Sequence, residues 1–204
     1  MSFGWAEARL AYYRRTEVRL GQGMSLATDP RPILTTATLP SGERLRIRSI
    51  RPEDEALLSD MVARTTPEDL RLRFFAATKG LSHELAARLT RIDCEREMAL
   101  IAQSMDSDEI LGVARYYADR DNREAEFAVL VRSDRKAHGI GWALMEKLLK
   151  VARSRGVDTL SGLVLRGNTT MLQFCRDLGF TITNSAEDPL TVHATLVLRP
   201  PVST

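Results

Sequence analysis

Two glycines stand one residue apart in Lys136-Ala137-His138-Gly139-Ile140-Gly141-Trp142, just after an apolar run from Phe127 to Val131. A helical pattern starts at these glycines and carries on to Arg155. The first turn of a helix has unpaired N–H donors and the positive end of the dipole, so it attracts phosphate. Glycine lets the backbone approach an anion where a Cβ would collide. The backbone N–H groups from Ala137 to Trp142 therefore read as a cradle for a phosphate-bearing ligand. Arg135 and Lys136 stand beside it as added charge, and His138 lies exposed in the loop. Two better-known phosphate loops do not fit. A P-loop needs Lys-Ser/Thr after its last glycine, and Trp142-Ala143 follows Gly141. A Rossmann turn needs a third small residue where this chain has Leu144.

The elements that must position this loop follow from hydrophobic patterning. The length of 204 residues predicts one compact domain with an extension. Residues 1–42 read as an N-terminal arm and linker. Residues 3–20 have the apolar spacing of a short amphipathic helix, and 21–42 are rich in glycine, proline and threonine. The domain proper is expected over 43–204. Leu45 to Ile50 alternates as a half-buried strand, and helices follow over 53–64, 67–73 and 83–92. Ser82 is placed to cap the last of these. Met98–Gln103, Ile110–Tyr117 and Glu124–Arg132 read as strands, and the helix opened by the glycines stops at Gly156. A strand over Thr159–Leu165, a short helix over 169–178 and two closing strands complete the order. The two phenylalanines Phe74-Phe75 read as core rather than as the wall of a site.

Several classes are disfavoured. The 29 basic residues nearly balance the 27 acidic ones, which does not suggest a nucleic-acid partner. Cys94 and Cys175 have no metal spacing and fit a reducing cytoplasm. No apolar run approaches the roughly 18 residues of a membrane span.

The element order and three local motifs resemble the GNAT superfamily of acyl-CoA-dependent N-acyltransferases. That superfamily has Gln/Arg-x-x-Gly-x-Gly/Ala after its fourth strand, and Lys136 to Gly141 is similar with lysine first. A second feature is an Asn opening the short helix before a Gly-Phe pair, seen here as Asn168 and Gly179-Phe180. Within the superfamily the phrases Leu45-Arg46-Ile47-Arg48, Arg51-Pro52-Glu53-Asp54 and Leu72-Arg73-Phe74-Phe75 resemble the protein lysine acetyltransferase (Pat-type) branch. Ala125-Glu126-Phe127-Ala128-Val129 adds to that resemblance.

The resemblance implies an α/β (α+β) fold with a mixed, mostly antiparallel sheet of six to seven strands. Helices flank the sheet, and strands 4 and 5 splay apart. It implies acetyl-CoA as donor, direct transfer to an amine, and no metal. The pyrophosphate would lie on Lys136, Ala137, His138, Gly139, Ile140, Gly141 and Trp142. Backbone groups of Leu130 and Val131 would hold the pantetheine arm and the thioester oxyanion. Asn168 would cap its helix, contact the coenzyme, or both. A lysine ammonium with a pKa of about 10.4 must lose a proton before attack, so a carboxylate base is expected. Glu124 and Glu126 share a strand face. Glu126, in the branch's own phrase, is the first choice and Glu124 the alternate. Many members have a tyrosine where this chain has Cys175, thought to protonate the leaving thiolate. Cys175 reads first as a small buried hydrophobe and second as that donor. The implied acceptor is a protein lysine, such as one on an acyl-CoA synthetase. A small-molecule amine acetyltransferase and a silent acyl-CoA-binding module remain the alternatives.

Overall fold

The computed structural model describes residues 32–199, with Lys79 excepted. Eight strands form one sheet in the order β1-β2-β3-β4-β5-β6-β8-β7. They are β1 (Leu34–Thr38), β2 (Arg44–Ser49), β3 (Glu97–Ser104), β4 (Ile110–Ala118), β5 (Glu124–Val131), β6 (Thr159–Leu165), β7 (Thr181–Asn184) and β8 (Thr191–Val197). Every neighbouring pair is antiparallel except β5 and β6, which are parallel.

The sheet begins earlier than the sequence reading placed it. The stretch read as linker supplies β1, which pairs with β2 from Leu34↔Arg48 to Thr38↔Arg44. Thr35, Thr36 and Thr38 are β-branched residues that suit a half-exposed edge strand, and this outweighs the flanking prolines. The count is therefore eight strands instead of six to seven. The splay expected between the fourth and fifth strands lies between β5 and β6, because β1 adds one. The amphipathic helix expected over 3–20 lies outside the described residues.

Helices cover both faces of the sheet, each burying an apolar stripe in a separate core. On one face α4 (Ile140–Ser154) buries Ile140, Leu144, Met145, Leu148 and Ala152 against Leu100, Ala114 and Tyr116. Burying one such large side chain contributes about 1.5–3 kcal/mol. The helix α5 (Thr169–Asp177) joins this core through Leu172 and Cys175. On the opposite face lie α1 (Glu55–Ala63), α2 (Pro67–Phe74) and α3 (His83–Thr90), packed on Ala99, Ile101 and Leu130. The starts of α2 and α3 are set by side-chain caps. Thr66 Oγ1 accepts from Asp69 N–H at 3.3 Å, and Ser82 Oγ accepts from Leu85 N–H at 3.2 Å. Gly156, at φ 89°, stops α4 in a conformation that costs glycine little.

The parallel ladder between β5 and β6 is short. It runs Glu124↔Thr159, Ala125↔Leu160, Glu126↔Ser161 and ends there. Beyond Glu126, β5 stays paired with β4 out to Val131↔Gly112, while β6 follows β8 to Leu165↔Thr191. The two strands part like an opening wedge. No helix among the described residues is long and apolar enough to cross a membrane.

Candidate active site

The wedge opens into a cavity of about 530 Å³. Phe127 to Val131 of β5 form one wall, and Leu163 and Val164 of β6 form the other. The cavity runs on to the turn before α4, where it meets Lys136, Ala137, Gly139, Ile140, Gly141 and Trp142. Asn168, Met171 and Phe174 border it from α5, and Asp69, Arg73 and Phe75 from α2 and the residue after it.

The turn leaves backbone N–H groups free of the helical ladder. Gly139 is the N-cap of α4 at φ 89°, and Ala137 is also left-handed at φ 61°. The first helical bond is Ala143 N–H to Gly139 O at 3.0 Å. The N–H groups of Ile140, Gly141 and Trp142 thus precede the helical ladder and have no intrahelical acceptor. The glycines also serve packing. A Cβ on Gly139 would sit 3.1 Å from Pro40 Cδ, and one on Gly141 would meet Val131 Cγ2 at 3.5 Å and Phe174 Cζ at 3.7 Å.

The two cations of the loop are not freely solvated. Lys136 Nζ donates to Asp69 Oδ1 of α2, and Arg135 Nη2 pairs with Glu43 at 2.5 Å. Ser133 Oγ donates to Asp69 Oδ2 at 2.5 Å, and Thr66 N–H donates to Ser133 Oγ at 2.8 Å. The start of α2 is therefore tied to the loop through the side chains of Lys136, Ser133 and Asp69. Burial acts to raise the Asp69 carboxyl, but hydrogen bonds from Lys136 and Ser133 outweigh it and hold it below the usual range. His138 does not border the cavity. Its Nδ1 lies 2.6 Å from Lys136 O, on the exposed side of the turn.

Backbone direction along β5 corrects one expectation. Arg132 N–H donates to Leu111 O at 2.9 Å, and antiparallel residues alternate between facing the partner strand and facing away. Leu130, two residues earlier, accordingly turns its N–H and C=O toward β4. The positions facing the gap are Phe127, Val129 and Val131. Two contacts agree with this: Phe127 O lies 3.2 Å from a Cβ built on Gly162 of β6, and Leu130 O lies 3.2 Å from one built on Gly112 of β4. Leu130 still borders the cavity, but Val131 and Val129 offer the backbone donors.

Glu126 occupies the last rung before the strands part and directly precedes Phe127, the first β5 residue on the cavity wall. It is half-buried, whereas Glu124 is exposed, and neither borders the cavity itself. Glu126 lies opposite Tyr117 of β4, which in turn lies opposite Glu97 of β3. Glu97 was missed from sequence. Burial pushes its carboxyl up to about 7, with Arg115 opposing, Asp93 adding to the rise, and Arg88 and Arg96 opposing. No spacing marks it, because its environment draws on α3 and β4 as well as the loop before β3.

Cys175 is fully buried in the core beneath α5 and does not reach the cavity. Burial pushes its thiol up to about 12, against the opposing charge of Arg176. A proton donor must touch the reacting atoms, so the donor reading is withdrawn and the small-hydrophobe reading stays. Asn168 does two jobs: its Oδ1 accepts from Met171 N–H at 3.1 Å, capping α5, and it borders the cavity. The Phe74-Phe75 pair divides. Phe74 packs in the α1–α3 core, while Phe75, left-handed at φ 61°, faces the cavity. Among the described residues no group of His, Cys, Asp and Glu is placed to hold a metal.

A family model described as Acetyltransferase (GNAT) family matches residues 67–180, which span the wedge and the α4 turn. The chain is 29% identical over 163 residues to an acetyltransferase of Pseudomonas aeruginosa, covering 79% of this chain and 88% of that one. It is 30% identical over 87 residues to an L-methionine sulfoximine/L-methionine sulfone acetyltransferase of Pseudomonas paraeruginosa, covering 41% of this chain and 51% of the relative. Among solved structures, the GNAT domain of S. lividans PAT superposes with a TM-score of 0.75 at 27% identity, over 80% of this chain and 96% of that domain. With its wedge, its glycine turn and a matching family model over more than half its length, the chain belongs to the GNAT family of acetyltransferases.

Proposed function

We propose that the protein transfers an acetyl group from acetyl-CoA to the ε-amine of a protein lysine. The observation that carries the reading is the continuity of the cavity, from Phe127, next to the last rung at Glu126, to the turn that opens α4. A thioester at the narrow end and a pyrophosphate at the helix N-terminus fit that path. Residues Lys136 to Trp142 hold the pyrophosphate, with Ala137, Gly139, Ile140 and Gly141 lining its bed. Lys136 gives charge from its place beside Asp69, and His138 stays at the rim. Val129 and Val131 pair with the amide groups of the pantetheine arm, and a β5 N–H facing the gap stabilises the thioester oxyanion. Asn168 fixes the start of α5 against the same arm.

Glu126 takes the proton from the acceptor ammonium, directly or through water, and Glu124 is too exposed to be preferred. Nitrogen then attacks the thioester carbon, the C–S bond breaks, and water protonates the coenzyme A thiolate. No covalent enzyme intermediate is needed. The protein-lysine acceptor is supported by the similarity to the S. lividans PAT domain and by the resemblance in the Ala125 to Val129 phrase. Cys94 and Cys175 are free thiols, which supports a cytoplasmic setting. The decisive experiment incubates the protein with acetyl-CoA and an acyl-CoA synthetase, then maps acetyl-lysines. Glu126→Gln should lower turnover by about 10²–10⁴-fold, and unchanged turnover removes Glu126 as the base.

A second reading, a small-molecule amine acceptor, is favoured by the shorter match to the methionine sulfoximine acetyltransferase. Robust turnover of free amines with no acetyl-lysine on protein would establish it.

A further inference from the structure

Five large apolar side chains are exposed among the described residues: Leu34, Met105, Trp142, Leu190 and Val197. Of these, only Trp142 borders the cavity. Trp142 is 45% exposed, an unusual position for a residue of that size. The residue is third in α4, and helical Cα–Cβ bonds tilt toward the N-terminus. The ring consequently leans back over the turn that presents its N–H groups to an anion. Phe174 of α5 braces it, with ring centroids 6.3 Å apart and planes at 76°, so contact is edge to face and much of the indole stays uncovered. An aromatic platform, held from one side, thus stands where a pyrophosphate-linked nucleoside leaves the cavity.

We propose that Trp142 is the stacking platform for the purine base of the donor, so that the enzyme reads the nucleotide end of coenzyme A as well as its pantetheine arm. This rests on the reading that the α4 turn holds the donor pyrophosphate. Its consequence is selectivity: full coenzyme A thioesters are preferred over phosphopantetheine thioesters, which have the arm but no base.

The test measures dissociation constants of acetyl-CoA and of acetyl-phosphopantetheine for the wild type, Trp142→Ala and Trp142→Phe. Losing a base–aromatic stack weakens binding by about 5- to 150-fold. For a ring this exposed we expect about tenfold weaker acetyl-CoA binding in Trp142→Ala, with acetyl-phosphopantetheine unchanged. Trp142→Phe should recover most of the loss. Alanine is favourable in a helix and the site is at the surface, so folding should be retained. Equal weakening of both ligands overturns the platform, since the turn itself would then have been disturbed. So does an unchanged acetyl-CoA affinity. If the wild type binds phosphopantetheine thioesters as tightly as acetyl-CoA, the platform fails while the donor reading stands. If it binds neither, the donor reading fails first.

Discussion

Gly162→Ala tests whether the wedge is held open by close packing at its apex. Gly162 follows Ser161, the last β6 residue paired with β5. A Cβ at position 162 would lie 2.8 Å from Phe127 Cε1, 3.1 Å from Phe127 Cδ1 and 3.2 Å from Phe127 O. The ring has little room to yield. It is 3% exposed and packs on Phe180 at a centroid distance of 4.8 Å. The backbone oxygen moves only if β5 moves, and β5 is paired along its length with β4. Overpacking of this kind costs about 1–3 kcal/mol. The lost chain entropy of the unfolded glycine returns about 0.4–1 kcal/mol. A net loss of about 1–2 kcal/mol should lower Tm by about 2–8 °C for a domain of this size. Because Phe127 lines the cavity, the KM for acetyl-CoA should rise as well. Differential scanning calorimetry and donor-dependent initial rates read the two effects. Phe127→Leu, which removes the opposing ring, should rescue part of the loss, giving a coupling of about 0.5–3 kcal/mol. An unchanged Tm with unchanged donor KM refutes the reasoning, as does strict additivity of the two substitutions.

Asp69→Asn removes an anion from the wall of the cavity proposed to hold the donor phosphates and frees Lys136. The donor KM should fall by about 2- to 5-fold at low salt and the gain should fade with ionic strength, read by initial rates across a salt series; a rise in KM contradicts this. Glu97 gives a pH dependence with a definite sign. Burial pushes its folded carboxyl up to about 7, above the ordinary glutamate range, so the native state binds more protons between those values. Stability contributed by the protonated form is full below the unfolded pKa and is lost as pH rises toward 7, by about 3 kcal/mol at most. Glu97→Gln should abolish that slope and stabilise the protein at pH 8, seen by denaturant unfolding from pH 4 to 8.

The glycine turn, the strand before it and the caps at Ser82 and Asn168 were legible because each is local. Hydrophobic period, φ preference and a side chain reaching three residues ahead depend on neighbours in sequence. Asn168 could be read as a cap from its place before Met171, and Gly156 as a stop from its place after α4. The strand β1 was misread because its threonines pull toward extended structure while the flanking Pro32, Pro40 and Gly42 suggest a loop. Pairing with β2 decides that contest, and pairing is not local.

The same division holds for the chemistry. By itself, the sequence determined a glycine-flanked helix start after an apolar strand, and a glutamate two residues from an alternate on one strand face. Tertiary structure alone decided that β5 and β6 part after Glu126, that Leu130 turns its backbone to β4, and that Cys175 is sealed in the core. It alone placed Asp69 beside Lys136 and left the Trp142 indole uncovered at the mouth of the cavity. Burial and charge at these sites come from elements far apart in the chain, so they exist only once the sheet is assembled.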